Sequence, residues 1–317
     1  MNFLKGIEVI DTKNKKWGIG KLDIINNKLV ANFRGKPGFK YESYSYPLDF
    51  MKRLTVKTED ETILQRIQDD IWFEKAEKES LAFKYNLCDG GCSETNIGFN
   101  GVCSDECLRS NIENANRAWC SISPCSKYLN GLMTRDEIEK EYQRGEFFCY
   151  ESSLLKTWKA GIGTDYDGRP RRIGSDVRDG LAIMTSVFNK GEERNRFIFA
   201  VFFIRSQEFG DDMNEGSVSA VDGDKPQYVI LLSRNEASKM KFWNYYSNPN
   251  EPNKIMWGTG LYRFVSHAIS ARILKDIVEI KEDAEEKRKA QEFLDMFCKT
   301  HDITTIPEKS GALCSEN

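Results

Sequence analysis

Six of the chain's nine cysteines stand between residues 88 and 125, in the spacing C-x3-C-x10-C-x3-C-x12-C-x4-C: Cys88, Cys92, Cys103, Cys107, Cys120 and Cys125. Zinc takes four soft donors in a tetrahedron, and paired thiols that bracket short loops supply that geometry. The segment CDGGC places two glycines between Cys88 and Cys92, so the backbone can fold tightly around an ion. Cys103 precedes Ser104-Asp105-Glu106, a helix start, where free amides and the helix dipole favour a thiolate. Cys120 and Cys125 flank the turn-like SISP. Six thiols exceed the needs of one ion, and three arrangements meet them. Cys88, Cys103, Cys120 and Cys125 can hold one zinc with Cys92 and Cys107 spare; all six can share two zincs; or Cys88, Cys92, Cys103 and Cys107 can bind alone. A four-thiolate site is closed to water, so it braces a fold rather than performing a reaction.

Other chemistry is thinly represented. The two histidines, His267 and His301, neighbour no nucleophile in sequence and read as surface or capping residues. There is no G-x-S-x-G, Walker loop or dinucleotide fingerprint, and GIG at 161–163 is too short to carry meaning. Carboxylates gather at Asp211, Asp212, Glu215, Asp222 and Asp224, followed by Lys225. Such a group can hold magnesium for phosphodiester cleavage, but the D…(D/E)-x-K arrangement on adjoining strands is missing, which favours solvated loop carboxylates. Aromatic and basic residues are more suggestive. Trp158 and Trp257 fall in loop contexts, WKAGIG and WGTG, while Trp243 lies on a helical stripe and reads as core. Lys159, Arg169, Arg171, Arg172 and Arg178 help give residues 154–178 six basic against three acidic side chains. Aromatic planes stack on bases, Arg and Lys hold phosphates, and an aromatic pocket can receive a base flipped from a duplex.

The elements that must position these residues follow from periodicity. Residues 7–54 contain short β-prone runs, IEVI, KWGIGKLDII, KLVANF and YSYPLDF, divided by glycines and Asn26-Asn27. Thr58 and Glu61 have capping-box spacing ahead of Ile63, Ile67 and Ile71, which predicts a connecting helix within 58–87. Thr134 and Glu137 repeat the device for a short helix ending near Gly145. LAIMTSV (181–187), FIFAVFFI (197–204) and YVILL (228–232) read as strands, the middle one covered on both faces. Ser233 and Glu236 cap a further helix, residues 266–280 form a core helix, 281–297 a charged amphipathic helix and 302–317 a loose tail. The expected fold class is α+β. Its parts are a small N-terminal barrel (1–57), the connecting helix (58–87), the cysteine zinc module (88–145), a mixed domain (146–280), and the charged helix and tail (281–317).

Gly18, Gly20, Val30, Phe33 and Tyr46-Pro47 resemble the pattern of SH3-like or Tudor-like barrels over about 50 residues. The cysteine segment, with CYES (149–152), RFIFAVFFI (196–204) and FWNYYSNPNEP (242–252), resembles a family of Clostridia and related bacteria, over most of the chain. Its members often carry the label malate synthase. Malate synthases resemble large TIM barrels that use a carboxylate-bound magnesium and an Arg, and the alternating βα pattern of a barrel is absent here. The family resemblance implies that Cys88, Cys103, Cys120 and Cys125 are the recurrent positions, with Cys92 and Cys107 as departures. In the order of its elements the mixed domain is also similar to the PUA-like group, which includes readers of modified bases.

Charge and composition set the functional expectation. Residues 1–57 carry twelve Lys and Arg against five Asp and Glu, while the whole chain is −3, so a basic N-terminal module sits on an acidic body. That asymmetry points to a polyanion. With no signal-peptide pattern and no apolar run of about 18 residues, a cytoplasmic location is expected. The reading is a non-enzymatic nucleic-acid-binding protein with structural zinc, DNA ahead of RNA, contacting its ligand through Trp158, Lys159, Arg169, Arg171, Arg172 and Trp257. A metal-dependent nuclease on the 211–224 carboxylates and a protein-interaction scaffold are the alternatives.

Overall fold

The computed structural model describes residues 5–12, 15–25, 28–33, 42–46, 54–57, 80–117, 120–121, 124–146, 149–164, 169–173, 175–188, 191–221, 223, 226–248, 251–258 and 260–316. The chain divides into two units, residues 1–77 and 78–317. Taken whole, its described residues are mixed α+β.

In the first unit, β1 (Glu8–Asp11), β2 (Ile19–Ile25), β3 (Lys28–Phe33), β4 (Glu42–Tyr46) and β5 (Leu54–Lys57) form one antiparallel sheet in the order β4-β3-β2-β1-β5. Its outer strands, β4 and β5, are not paired with each other among the described residues, so the sheet is not closed. Val9, Leu22, Ala31, Phe33 and Leu54 are buried. Gly20 is paired with Phe33 across β2 and β3, and a side chain there would begin 2.6 Å from the Phe33 ring. The glycine therefore lets an aromatic ring lie flat over the neighbouring strand. The capping pair Thr58 and Glu61, with its isoleucine stripe, lies outside the described residues.

The second unit is built on a sheet of β6 (Ser80–Lys84), β8 (Leu181–Ser186), β9 (Phe197–Phe203), β12 (Val229–Leu231) and β13 (Tyr262–Val265), ordered β12-β9-β8-β6-β13. Strand β6 occupies the end of the segment 58–87, in which a connecting helix is expected; residues 58–79 lie outside the described residues. Residues Ser80–Phe83 of β6 are all buried, because β6 lies between β8 and β13, and such a strand reads as a continuous apolar run. It pairs parallel with β8, and the other pairings in the sheet are antiparallel. Every residue of β8 and β9 is buried, as expected for strands covered on both faces.

Nearly a hundred residues separate the parallel strands β6 and β8, and this crossover carries the cysteine segment. It holds α1 (Asp105–Arg109), α2 (Pro124–Leu129), α3 (Arg135–Arg144) and α4 (Tyr150–Thr157), then β7 (Lys159–Gly161). The Thr134/Glu137 capping box is formed, and Gly145 ends α3 in the left-handed conformation that glycine adopts without steric cost. Strand β7 pairs with β11 (Ser217–Ser219), which pairs with β10 (Ser206–Glu208), as a small second sheet.

Helix α5 (Arg234–Lys239) has the expected Ser233/Glu236 capping box but stops before Trp243, which is fully buried and donates its indole N–H to the Glu193 carbonyl at 2.8 Å. Helices α6 (His267–Ile280) and α7 (Ala284–Thr300) pack together, with Phe293, Leu294 and Phe297 of α7 buried. The segment after α7 is docked rather than loose. Gly311 and Ala312 donate their amides to the carbonyls of Asn244 and Tyr246, and Ala312 is buried. Of the two histidines, His301 is the C-cap of α7, as a capping reading expects, while His267 is buried; their rings lie with centroids 3.7 Å apart at a 37° tilt, and His301 Nε2 meets the Asp179 carbonyl at 2.8 Å. Sequence separation hid that pairing. No helix among the described residues is long and apolar enough to cross a membrane.

Candidate functional site

The cysteine loops are held backbone to backbone. Phe99 donates its amide to Cys88 O and Asn100 to Gly90 O, at 2.9 and 3.0 Å. Gly91 has φ +74°, and a Cβ on it would meet the Asn100 carbonyl at 2.5 Å, so CDGGC needs its glycines for close approach as well as for conformation. Arg135 at the start of α3 clamps the segment bearing Cys103, donating to the carbonyls of Cys103 (2.7 Å) and Val102 (3.2 Å).

These supports bring the Cys88 and Cys103 sulfurs to 3.2 Å. Asp89, Cys103 and Cys107 present ligand atoms within 4.8 Å of one another, a cluster able to hold a metal ion. Asn111 donates to Cys107 Sγ at 3.5 Å, and Asp89 is oriented by the amide and hydroxyl of Ser104. Cys107 is thus inside the cluster, although the family resemblance implies a departure there. Cys92 is exposed, its thiol 3.7 Å from the Ser93 carbonyl and 3.9 Å from the Arg234 guanidinium. Cys120 and Cys125 lie outside the group of three, yet Cys120 is near enough for the charges of Cys125 and Cys107 to bear on its thiol. Burial first, and the Glu151 carboxylate second, push the thiols of Cys120 and Cys149 up to about 12. Cys149, which the spacing pattern did not single out, is therefore part of the same buried thiol neighbourhood.

A cavity of about 200 Å³ adjoins the cluster, at the carboxyl end of β6. Phe83, Lys84, Tyr85 and Asn86 form one wall. Glu151, in the first turn of α4, is buried and accepts from Asn86 Nδ2 at 3.2 Å and from the Cys149 thiol at 3.5 Å. Burial holds its carboxyl above the ordinary range, against those hydrogen bonds. Opposite stand Gly161, Gly163 and Glu215. The two glycines alternate with Ile162, which is fully buried, so the strand turns its side chain into the core and leaves its cavity face bare. The Glu215 carboxylate fills part of that bare face and accepts the Gly163 amide. The GIG triplet thus shapes the cavity, and its signal was the two-residue spacing of glycines around an apolar residue. Gly163 has φ +68°, and a Cβ there would lie 2.5 Å from Leu261 Cδ1. Gly163→Ala is expected to cost about 1–3 kcal/mol, measured by urea denaturation; an unchanged midpoint would show that the strand can give way.

Lys84 and Arg117, both on this cavity, make no ion pair or side-chain hydrogen bond among the described residues. Burial, then the charge of Arg196, pushes the Lys84 ammonium below its ordinary range. The cations expected to hold phosphate are differently placed. Lys159 pairs with Glu208 at 2.7 Å, Arg172 with Asp212 at 2.6 Å, and Arg178 with Asp176 at 2.6 Å, while Arg171 donates to the Thr164 carbonyl at 2.9 Å. Arg169 is exposed. Neither expected tryptophan stands free to stack on a base. Trp257 is 2% exposed, with the guanidinium carbons of Arg196 and Arg263 4.9 and 5.4 Å from its ring centroid. Trp158 is half-buried and meets Phe202 edge-on at 6.2 Å. Loop contexts in sequence concealed the packing that holds both rings.

No family model matches this chain, and no curated protein and no solved structure matches it. The geometry alone therefore bears on function. Among the described residues the 211–215 carboxylates do not gather into the alternative acidic centre: Asp211 accepts the amides of Met213 and Asn214 at 2.7 Å each, Asp212 is 95% exposed, and Glu215 turns into the cavity. Asp222, Asp224 and Lys225 lie outside the described residues.

Proposed function

We propose that this is a non-enzymatic nucleic-acid-binding protein that takes one base into the cavity at the end of β6, braced by a structural zinc on the thiol cluster. The observation that carries the reading is the chemistry gathered at one small cavity. Tyr85 and Phe83 line it with only 8% and 1% exposed, Asn86 and Glu151 form a part-buried hydrogen-bonding pair, and Lys84 and Arg117 are two cations that make no ion pair among the described residues. At about 200 Å³ it is below the roughly 300–1,000 Å³ of drug-sized sites, which suits a single ring. Lys84, Tyr85, Asn86 and Arg117 also wall a neighbouring cavity of about 220 Å³, so the backbone flanking a bound base has a basic track to follow.

Zinc is favoured by donor softness and spacing. Sulfurs around a tetrahedral zinc lie about 3.8 Å apart, between the 3.2 Å and 4.8 Å found here. Cys88, Cys103 and Cys107 supply three donors, with the fourth from Asp89 or from Cys120, Cys125 or Cys149. The basic N-terminal unit, expected to be SH3-like, adds charge for phosphate contact and favours DNA or RNA over a protein partner.

The test is retention of labelled DNA and RNA at low salt, followed by a salt titration. Lys84→Ala and Arg117→Ala should each weaken binding about equally across sequences. Each should lower the slope of log affinity against log salt by about one. No retention of either polymer at low salt, or variants with the native slope, would remove the reading.

A further inference from the structure

The hairpin that carries Glu215 has a second feature. Strands β10 and β11 are joined through residues 209–216, and at that tip Met213 is 84% exposed and Phe209 50% exposed. The tip is braced on both sides of Met213. Asp211 accepts two amides, its own amide donates to the Asn214 carbonyl at 2.8 Å, and Glu215 is held by Gly163. Gly210, at φ +85°, lies against Gly216 so closely that a Cβ would sit 2.5 Å from its nitrogen. A turn so tightly closed holds an apolar side chain in water with little freedom to fold it away. The nearby carboxylates are committed, Asp211 to the turn and Asp212 to Arg172.

Met213 also lines a cavity of about 480 Å³ together with Gly161 and Glu215, and those two residues wall the base cavity as well. The exposed methionine thus lines a cavity that shares Gly161 and Glu215 with the proposed pocket. Extruding a base from a duplex leaves a gap in the stack, and proteins that distort duplexes insert apolar wedges such as Phe, Leu, Ile or Met between base steps. We infer that Met213 is an intercalating wedge: the hairpin 209–216 enters double-stranded DNA and holds open the step from which a base passes into the cavity at β6. This rests on the base-pocket reading and makes the ligand a duplex rather than a single strand.

The test uses the full chain and three mixed-sequence DNA probes at low salt: a fully paired duplex, the same duplex with a central mismatch, and the single strand. Met213→Ala should weaken binding to the paired duplex about tenfold or more, and to the other two within about twofold, because their unstacking is already supplied. Met213→Leu should restore the paired-duplex affinity. A 2-aminopurine placed at the central position should brighten on binding of the native protein and much less with Met213→Ala. Equal effects on all three probes, or none, would overturn the wedge. Lys84→Ala in the same assay separates the two claims. If it weakens all three probes while Met213→Ala weakens none, the pocket stands and the wedge falls. If Lys84→Ala changes nothing, or the native chain binds none of the probes, the pocket reading fails and the wedge with it.

Discussion

On the proposed zinc site, Cys103→Ser is expected to abolish metal binding and to lower the thermal midpoint of the second unit by about 10 °C or more. Structural zinc in small thiolate sites contributes folding free energy outright, because the unfolded chain does not present the assembled ligands. At 2–4 °C per kcal/mol for a unit of this size, a loss of several kcal/mol is enough. Cys103 is the donor common to the close contacts, touching Cys88 at 3.2 Å and sharing the cluster with Cys107 and Asp89. Cys92→Ser is the control. That thiol is exposed, so its loss should stay within about 0.5 kcal/mol and leave the zinc content unchanged. Elemental analysis and calorimetry with and without a chelator check both variants. A chelator-treated native protein that keeps its midpoint would show that the thiols are merely buried.

Asp276→Ala should destabilise the second unit by about 3–5 kcal/mol, the cost of stranding a buried charge. Asp276 lies on α6 almost fully buried, and three donors converge on it: Arg272 at 2.6 Å, the Tyr245 hydroxyl at 2.5 Å and Lys309 at 2.9 Å. Removing the carboxylate leaves the buried Arg272 guanidinium, among the described residues, with the exposed Glu308 as its remaining ion-pair partner. It also releases the turn at Tyr245 and the segment at Lys309 from one shared anchor. Denaturant unfolding followed by tryptophan emission reads the change directly, since Trp243 lies two residues from Tyr245. A loss below about 1 kcal/mol would mean that water replaces the carboxylate without penalty.

Local signals in the sequence were reliable wherever one residue type does one local thing. The capping boxes at Thr134/Glu137 and Ser233/Glu236 form, because a side chain three residues from a free amide can reach it whatever the rest of the fold does. The buried runs of β8 and β9 follow from unbroken hydrophobicity. The clustering of thiols, with glycines between the first two, likewise announced a site able to hold a metal. Partnership was not legible. Trp257 and Trp158 stand in glycine-bounded loops, yet packing holds both rings, and Lys159 and Arg172 find carboxylates 49 and 40 residues away. No spacing rule encodes such distances. Two features dismissed as bland, GIG and the acidic run at 211–215, turn out to meet: a bare strand face receives Glu215, and the turn beside it presents Met213.

By itself, then, the sequence determined that this chain is mixed α+β, where its capped helices and buried strands lie, and that its cysteines gather at one place. Those properties depend on neighbours within a few residues, where geometry is set by the backbone. Only the tertiary structure decided which thiols approach one another, which cations make no ion pair among the described residues, and that β6, Glu151 and the 161–163 segment line one cavity. Each of those depends on bringing together groups from opposite ends of a crossover nearly a hundred residues long, and chain separation carries no information about which of them meet.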